Sequence, residues 1–370
     1  MSQRTNIVIT LTIAIIIAMV FYFRGESNLH PTKLATETVP EDEAMHIARA
    51  VELFKAKLEK RDANSTLVQR GAHPKQHGCV QGVLRVVSNL DESLITPLFQ
   101  PGAEYPAWIR FSNNDDPGPD TGPDVRGMAI KLFDVPGDKY TGTEPIHDLL
   151  LVSHPVFLFK DVKTYVRAFD AFSKKHVLRF FFNPLNPQIK AFQIARDMQK
   201  THRDLLGMRW WSMVPYQYGQ NKAVKYSARP CPSHRAERHN YGAGATKNFL
   251  SERLQESLAE GPACFEFMVQ FQNDPKTMPI EDPRVEWDET ITPFEPIAQL
   301  FIPQQNLGDE TQTQFCENFT FNPWRAIEAH RPLGGISRAR RVIYEELAAY
   351  RRAKNDALGI EPTPPPLFAP

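Results

Sequence analysis

Two neighbouring stretches of this 370-residue sequence decide its fold: residues 108–113 read WIRFSN and residues 124–131 read DVRGMAIK. Each lies in a short run rich in β-forming side chains. The segment between them, residues 115–124 (DDPGPDTGPD), has the proline, glycine and aspartate content that is typical of turns. The sequence therefore predicts two β-strands, at residues 107–113 and 126–135, connected by a turn region.

The same pattern continues on both sides of this pair. Further β-rich runs occupy residues 78–90, 147–153, 222–228, 264–272 and 297–302, and helical patterns occupy residues 40–61, 161–175, 188–206 and 337–354. The first of these helices has Pro40 in its first turn, followed by acidic side chains. We expect an α+β fold with one large antiparallel β-core and with inserted and terminal helices.

Charge and composition exclude several classes of protein. The chain has 43 Lys and Arg and 43 Asp and Glu, so its net charge is zero, and 42% of its residues are hydrophobic. A nucleic-acid binder with a basic surface is therefore not expected, and neither is a largely disordered chain. The four cysteines, Cys79, Cys231, Cys264 and Cys316, are scattered without a C-x-x-C pair, which indicates neither a zinc finger nor a disulfide scaffold. They leave the redox compartment undecided.

The N-terminal segment predicts a membrane anchor. Residues 6–23 (NIVITLTIAIIIAMVFYF) carry no charge, and as a helix they would span roughly 27 Å, close to the hydrocarbon thickness of about 30 Å. Arg4 and Arg24 flank the run. We expect an uncleaved helix rather than a cleaved signal peptide, because no convincing pair of small residues follows the run. A short tail before a large body favours placing the body on the exported side, periplasmic or extracellular.

The common catalytic signatures H-E-x-x-H, G-x-G-x-x-G, G-x-S-x-G and the Walker loop are absent from the sequence. The remaining candidate residues lie in four segments: residues 70–75 (RGAHPK); residues 108–113 with 124–131; residues 155–161 (PVFLFKD); and residues 321–324 (FNPW) with 340–344 (RRVIY). Taken together and in this order, these segments resemble the haem catalases and their shorter, catalase-related relatives that metabolise hydroperoxides. The resemblance covers approximately residues 67–349.

The resemblance implies a haem b cofactor whose iron is bound by a tyrosine. Tyr344 matches the family's proximal tyrosine, the phenolate ligand of the iron. A phenol has an ordinary pKa of about 10, so phenolate binding at neutral pH requires the metal and a nearby cation. Arg340 matches the arginine that supplies this cation, and it lies four residues earlier on the same predicted helix face.

The resemblance also implies an acid–base pair on the other side of the haem. His73 matches the distal histidine, which would move a proton between the two oxygens of a peroxide. Ser112 matches the serine that accepts a hydrogen bond from this histidine. His77, His154 and His330 are competing histidines.

Four further residues match positions that contact the cofactor or the substrate channel. Arg70 and Arg110 match the arginines that pair with haem propionates, a role suited to the bidentate guanidinium group. Tyr165 lies where the family has an aromatic ring over the porphyrin, and Phe157 where a channel phenylalanine lies. For these two aromatic residues, ordinary core packing is an equally good interpretation.

The sequence departs from the large catalases at two places. Val152 and Ser153 stand where those enzymes have two successive asparagines, one of which orients peroxide over the iron. We also expect no helical C-terminal domain, because few residues follow position 354.

We expect the chain to divide into five parts: a tail (1–5), an anchor (6–23), a linker and helical arm (24–66), a catalase-like haem domain (67–358) and a proline-rich tail (359–370).

The apolar N-terminal run and the resemblance to the catalases together imply a membrane-anchored haem enzyme that acts as a peroxidase on hydrogen peroxide or on organic, including fatty-acid, hydroperoxides. The alternatives are a weak catalase, a hydroperoxide isomerase or dehydratase, and a haem-binding sensor or carrier without turnover. A β-rich domain that has lost its haem is the remaining alternative. The sequence leaves the electron donor and the oligomeric state open.

Overall fold

A computed structural model of the chain describes residues 33–65, 68–114, 118–232, 245–307, 310–318, 320–355 and 363–365. Its helices are α1 (Glu43–Arg61), α2 (Val162–Ser173), α3 (Val177–Phe181), α4 (Ile189–Met198), α5 (Phe249–Glu260), α6 (Glu310–Asn318) and α7 (Gly335–Lys354). Its strands are β1 (Gln76–Val86), β2 (Glu104–Asn113), β3 (Arg126–Leu132), β4 (His147–Val152), β5 (Trp210–Trp211), β6 (Tyr216–Gln217), β7 (Ala223–Pro230), β8 (Ala263–Phe271) and β9 (Glu295–Ile302).

Eight antiparallel strands close into a barrel. They follow the order β5, β4, β3, β2, β1, β9, β8 and β7, and β5 then pairs with β7, which completes the circle. Strand β6 pairs with β7 outside this circle. The predicted antiparallel β-core with inserted and terminal helices is therefore confirmed.

Side-chain alternation explains why these runs form barrel strands. In β8, Phe265, Phe267 and Val269 are fully buried, whereas Glu266 between them is partly exposed. Successive side chains of a strand point to opposite faces, so one set fills the interior and the other faces outward. An eight-stranded barrel is just wide enough for such side chains to fill. Ile109 of β2 lies opposite Ile130 of β3, and both are fully buried.

Helices α1, α2 and α7 pack together outside the barrel. Their contact is an apolar cluster that includes Phe54 of α1, Val166 of α2 and Ile343 of α7. An ion pair closes the same interface, because Arg338 Nε of α7 donates to Glu43 Oε1 of α1 at 2.7 Å. The N-terminal arm is thereby held against the helix that carries Arg340 and Tyr344.

The helix predicted at residues 188–206 is wrong in its second half, since α4 ends at Met198. The backbone N–H of Lys200 donates to the carbonyl of Met198 at 2.9 Å, which turns the chain. Leu205 and Leu206 then enter the barrel core, where both are buried. Burying these two leucines in the core outweighs the helical periodicity of the segment.

The four cysteines form two disulfide pairs that their spacing does not reveal. Cys79 of β1 pairs with Cys316 of α6, and Cys231 pairs with Cys264 of β8. The Cα atoms of the two pairs are 6.2 and 5.4 Å apart, within the range of protein disulfides. The sequence indicated no disulfide framework, because the partners are 237 and 33 residues apart along the chain.

Within the ranges given above, no helix combines the length and the apolar character that crossing a membrane requires. The predicted anchor at residues 6–23, and the tail before it, lie outside those ranges.

Candidate functional site

The loop that precedes β1 places His73 at the end of the β2 and β3 pair. The backbone N–H of His73 donates to the carbonyl of Asn114 at 3.2 Å, and that of Lys75 donates to Asn113 Oδ1 at 3.0 Å. His73 has a φ of +56°, an uncommon conformation for a residue other than glycine. The loop is thus fixed to the end of β2, and the imidazole is held in one position.

Ser112 and Gly127 form the support under the His73 ring. Ser112 Oγ lies 3.3 Å from His73 Nδ1, and Ser112 pairs with Gly127 across the β2 and β3 ladder. A Cβ atom on Gly127 would lie 2.6 Å from His73 Nδ1 and 2.9 Å from Ser112 Oγ. Only glycine fits there without displacing the histidine. The sequence analysis missed Gly127, although a glycine inside a strand is a known sign of close approach.

The environment of His73 keeps its ring neutral. Burial, and next the charge of Arg110, lower the pKa of His73 from its ordinary 6.5 to about 4, and Arg340 adds to this effect. A hydrogen bond involving the Asn113 backbone opposes the shift. His73 therefore has one basic nitrogen at neutral pH, which is the state that a proton acceptor needs.

Helix α7 brings Arg340 and Tyr344 to the same face. Arg340 is buried, and its Nη2 donates to Tyr344 Oη at 3.3 Å. Burial lowers the pKa of Arg340. The interactions with Tyr344 and then with Tyr216 outweigh burial, so the pKa of Arg340 is raised above its ordinary value. The guanidinium is therefore a permanent cation beside the Tyr344 oxygen, and its charge also reaches His73.

Two further phenols surround this arginine. Burial, and next Tyr344, raise the pKa of Tyr165 above its ordinary value, and burial raises that of Tyr216 to about 12. Tyr216 is buried, and its Oη atom has no hydrogen-bond partner among the residues that the structure describes. Sequence reasoning missed Tyr216, because it lies in a two-residue strand without a recognisable pattern.

Phe157 lies beside Tyr165 in an aromatic cluster. The centroids of the two rings are 5.7 Å apart in an edge arrangement. Tyr165 also contacts Phe159 at 5.4 Å and Phe54 of α1 at 5.9 Å. The structure therefore brings Tyr165 and Phe157 together, with Tyr165 close enough to Arg340 for its charge to act on the phenol, and both keep part of their surface exposed.

Arg70 and Arg110 converge on a carboxylate of this chain, Glu317 of α6. Arg110 Nη2 donates to Glu317 Oε1 at 2.8 Å, and Arg70 Nε donates to Oε2 at 3.3 Å. Arg351 of α7 donates to the Glu317 backbone carbonyl at 2.6 Å. Sequence reasoning missed both Glu317 and Arg351; Arg351 lies seven residues after Tyr344, on the same side of α7.

This arginine cluster, defined here as Arg70, Arg110, Arg351 and Glu317, has more positive than negative charge. Burial raises the pKa of Glu317, but Arg110 and Arg70 outweigh that and lower it to about 2. Burial is also the largest reason that the pKa of Arg70 falls to about 9, and the charges of Arg110 and Arg351 contribute. Three cations around one carboxylate can accept further anionic groups.

The residues at the positions of the asparagine pair have other bonds. Val152 is buried in an apolar cluster with Val125 and Met213. Ser153 Oγ accepts a hydrogen bond from the backbone N–H of Arg126 at 2.9 Å, and its own N–H donates to the Arg126 carbonyl. Ser153 therefore ties β3 to the end of β4, and neither side chain offers an amide.

The competing histidines lie in other networks. His77 is buried, with its Nδ1 3.5 Å from Asp120. His154 Nδ1 lies 3.0 Å from the carbonyl of Val156, two residues along the chain. His330 Nδ1 bonds to Tyr226 Oη at 2.9 Å inside the barrel. None of these contacts involves Arg340 or Tyr344.

The residues present fit a haem. Tyr344 offers a phenol oxygen with a cation at hydrogen-bond distance, the arginine cluster has excess positive charge that would suit two propionates, and Gly127 provides the close support for His73. Tyr216 Oη, a buried polar atom without a partner among the described residues, lies near enough to Arg340 to raise its pKa. In the described part of the chain, no cluster of three or more His, Cys, Asp or Glu residues could bind a metal ion.

Comparison with known proteins gives one sequence relative and several structural neighbours. No protein-family model matches the chain. The catalase-related peroxidase of Mycolicibacterium paratuberculosis is 25% identical over 195 residues, which are 51% of this chain and 61% of that protein. This chain thus spans less than two thirds of that relative.

Three of the similar solved structures are catalases. A fungal catalase and catalase A of Saccharomyces cerevisiae each have a TM-score of 0.62 and 16% identity, and the match covers 88% of this chain. A bacterial catalase has a TM-score of 0.59 and 17% identity, with 89% of this chain covered. The match covers 66%, 68% and 64% of these three catalases, respectively. The closed barrel, the helices around it and these three similarities together show that the chain has the fold of the catalases.

Proposed function

We propose that this protein is a haem-dependent enzyme that acts on hydrogen peroxide or organic hydroperoxides, and that it works as a peroxidase rather than as an efficient catalase. The observation that carries the proposal is the placement of Arg340. It donates a hydrogen bond to Tyr344 and its charge also reaches His73. A potential iron ligand and its stabilising cation are therefore in contact, and the charge of that cation acts on a neutral proton acceptor.

Residues from several helices, strands and loops would hold the cofactor. Tyr344 would bind the iron through its phenolate oxygen, and Arg70, Arg110 and Arg351 would bind the propionates. Tyr165, with Phe157 beside it, would cover the porphyrin face. When bound, haem supplies the redox centre at which a peroxide O–O bond is broken.

His73 would do the proton chemistry. A proton on Nδ1, donated to Ser112 Oγ, leaves Nε2 as the acceptor, so His73 can take the proton from one peroxide oxygen and return it to the other. Its pKa of about 4 keeps the ring neutral until it takes that proton. Arg340, which donates a hydrogen bond to Tyr344 Oη, would stabilise a phenolate bound to the iron.

The preference for peroxidase chemistry rests on Val152 and Ser153. Val152 presents apolar surface, and Ser153 Oγ already accepts the Arg126 amide. Neither position has a side-chain amide that could align a second molecule of hydrogen peroxide. A reducing donor or a rearrangement of the substrate would then complete the cycle, so we expect little oxygen release.

The first test is haem binding by the purified full chain in detergent. We expect hemin to give a phenolate–ferric absorption spectrum with one haem per chain. Tyr344→Phe should lose this spectrum or the haem itself, whereas Tyr350→Phe, a matched change on the same helix, should keep both. An unchanged spectrum in Tyr344→Phe would overturn the ligand assignment.

The second test separates the activities. We expect the loaded protein to consume cumene hydroperoxide or a fatty-acid hydroperoxide in the presence of a reducing donor and to release little oxygen from hydrogen peroxide. Val152→Asn with Ser153→Asn should raise oxygen release. Rapid oxygen release by the unchanged protein would identify a catalase. Consumption of the hydroperoxide without a donor and without oxygen release would identify an isomerase or dehydratase. The absence of any turnover would identify a carrier or sensor.

We also propose that residues 6–23 attach the protein to a membrane and that residues 67–358 lie on the exported side. The absence of charge over these 18 residues supports the first part. A fusion of alkaline phosphatase to residue 355 in a bacterial host tests both parts. It should be active and should sediment with membranes, whereas an inactive fusion would place the body in the cytoplasm.

A further inference from the structure

The surface around α3 is unusual in its apolar exposure. Half of the ten large hydrophobic side chains that are exposed in the described part of the chain lie between residues 177 and 189. Their exposed fractions are 41% for Val177, 71% for Leu178, 47% for Phe182, 93% for Leu185 and 40% for Ile189. We call residues 174–189 the α3 surface. Scattered apolar residues are common on proteins, but a group of this kind marks a contact region.

The fold does not need this apolar surface for its own core. The inner side of the segment is anchored by Phe180 and Phe181, which are buried and pack against Phe159 and Ala191. The outer side chains remain exposed beside this cluster, even Phe182, whose ring packs against Phe192 with centroids 4.9 Å apart. Their exposure is therefore not the result of a missing core contact.

The turn that carries Leu185 is held in a fixed shape. The backbone N–H of Leu185 donates to Asn183 Oδ1 at 3.0 Å, and that of Gln188 donates to the Phe181 carbonyl at 2.8 Å. Asn186 N–H donates to the Asn183 carbonyl at 3.1 Å. These bonds present the most exposed large apolar side chain of the described residues at the tip of an ordered turn.

Positive charge surrounds the apolar side chains. Residues 171–189 contain Lys174, Lys175 and Arg179 but no acidic residue, in a chain whose net charge is zero. A cavity of about 550 Å³ adjoins the segment, and its lining includes four cations, Arg49, Arg167, Lys174 and Arg179, but only one carboxylate, Asp170. Lys174 Nζ already bonds that carboxylate at 2.7 Å.

From this combination we infer that the α3 surface docks on an anionic phospholipid bilayer. Leu178, Phe182 and Leu185 enter the boundary between headgroups and acyl chains, while Lys175 and the cations of the cavity bind lipid phosphates. Exposed apolar residues next to Lys and Arg are the pattern of proteins that lie on a membrane. This contact is separate from residues 6–23, and it does not depend on the haem.

A second copy of the chain fits this surface less well. A symmetric dimer places the same patch on both partners, so the cations of one copy would face those of the other. Like charges at an interface oppose association, whereas anionic lipids neutralise them. The bilayer is therefore the occupant that the charge of the surface favours.

The test uses the full chain with an environment-sensitive dye on Leu185→Cys. The four natural cysteines are paired, so the dye attaches to the new residue. The probe is added to vesicles of phosphatidylcholine with phosphatidylglycerol, and to vesicles of phosphatidylcholine alone. We expect a blue shift and quenching by brominated lipid in the anionic vesicles, a weaker response in the neutral ones, and no response from a control dye on Ile291→Cys.

Charge reversal identifies the contribution of the cations. Lys175→Glu with Arg179→Glu should abolish the response of the dye at position 185, whereas Lys276→Glu, a reversal at a distant exposed lysine, should leave it intact. Circular dichroism checks that each variant is folded. A dye at position 185 that stays in water, or one that responds equally after charge reversal, would overturn the proposal. A shift without vesicles that grows with protein concentration would assign the surface to a second copy.

Discussion

At the scale of single residues, the position of His73 depends on Gly127, which has only a hydrogen atom where other residues have a side chain. A Cβ on Gly127 would lie 2.6 Å from His73 Nδ1, closer than van der Waals contact allows. We predict that Gly127→Ala displaces the imidazole and lowers peroxide turnover by about 10²-fold, because a small misplacement of a catalytic group has a large effect on rate. The absorption spectrum of the bound haem should persist.

The control for this change is Gly261→Ala, because a Cβ at Gly261 meets no atom within 4 Å. Turnover, the pH profile of turnover and thermal unfolding are measured for both variants. Equal turnover by the two variants would show that His73 tolerates the displacement or takes no part in the reaction.

The pKa of His73 gives a second prediction at this scale. Its folded pKa is about 4 and its ordinary value is 6.5, so between these pH values the unfolded chain binds a proton that the folded protein does not. The free energy of unfolding should therefore fall as the pH drops from 6.5 to 4. The contribution of His73 is at most about 1.4 kcal/mol per pH unit.

Urea unfolding of wild type and His73→Ala across this range measures the effect. Burial also lowers the pKa values of His147 and His330, but these residues remain in both proteins, so the difference between the two curves isolates His73. His176→Ala, a change at an exposed histidine, is the control for the substitution itself. Parallel curves for wild type and His73→Ala would contradict the low pKa.

Sequence reasoning found the residues of the recognisable segments, and it missed Gly127, Tyr216, Glu317 and Arg351. His73, Ser112, Arg340 and Tyr344 each belong to a recognisable segment, and their assigned roles stay predictions. Gly127 acts through the side chain that it lacks, which only the register of β2 and β3 reveals. Chemistry-bearing segments can be read locally, whereas contacts across strands require the fold.

At the scale of elements, the arginine cluster joins four parts of the chain through one residue, Glu317. Glu317 on α6 bonds Arg70 of the loop before β1 and Arg110 of β2, and its backbone carbonyl bonds Arg351 of α7. We predict that Glu317→Gln lowers the free energy of unfolding by about 2 kcal/mol. The loss lies below that of a fully buried pair, because the Glu317 side chain is 30% exposed.

Urea unfolding at neutral pH measures this effect, and Glu328→Gln, a change at a side chain that is 74% exposed, is the control. Inorganic phosphate should restore part of the loss in Glu317→Gln, because it replaces the missing negative charge among the arginines. Equal stability of the two variants would show that solvent already screens the cluster.

The helices illustrate which element boundaries the sequence determines. Helix α7 covers residues 335–354 against a predicted 337–354, because its apolar and charged faces keep a helical period throughout. Helix α4 stops eight residues before its predicted end, where Leu205 and Leu206 are buried in the barrel core. A tertiary contact of that kind overrides local periodicity.

At the scale of the whole molecule, the seven predicted β-runs are seven of the eight barrel strands, and their boundaries agree within a few residues. The eighth, β5, consists of Trp210 and Trp211 only, which is too short for a two-residue period to be recognised. The α+β class could be read from the sequence, whereas the closure of the barrel could not.

Because β5 has only two residues, we expect local unfolding of the barrel to begin at this strand. One residue pair, Val152 with Trp211, joins β5 to β4, and two pairs join it to β7. Local opening is easiest where few backbone hydrogen bonds must break. We predict that the amide of Trp211 exchanges with deuterium at least tenfold faster than those of Ile109 and Ile130. Uniform exchange around the barrel would contradict this. Because Val152 forms that single pair, we expect local opening to begin beside the residue on which the proposed preference for peroxidase chemistry rests.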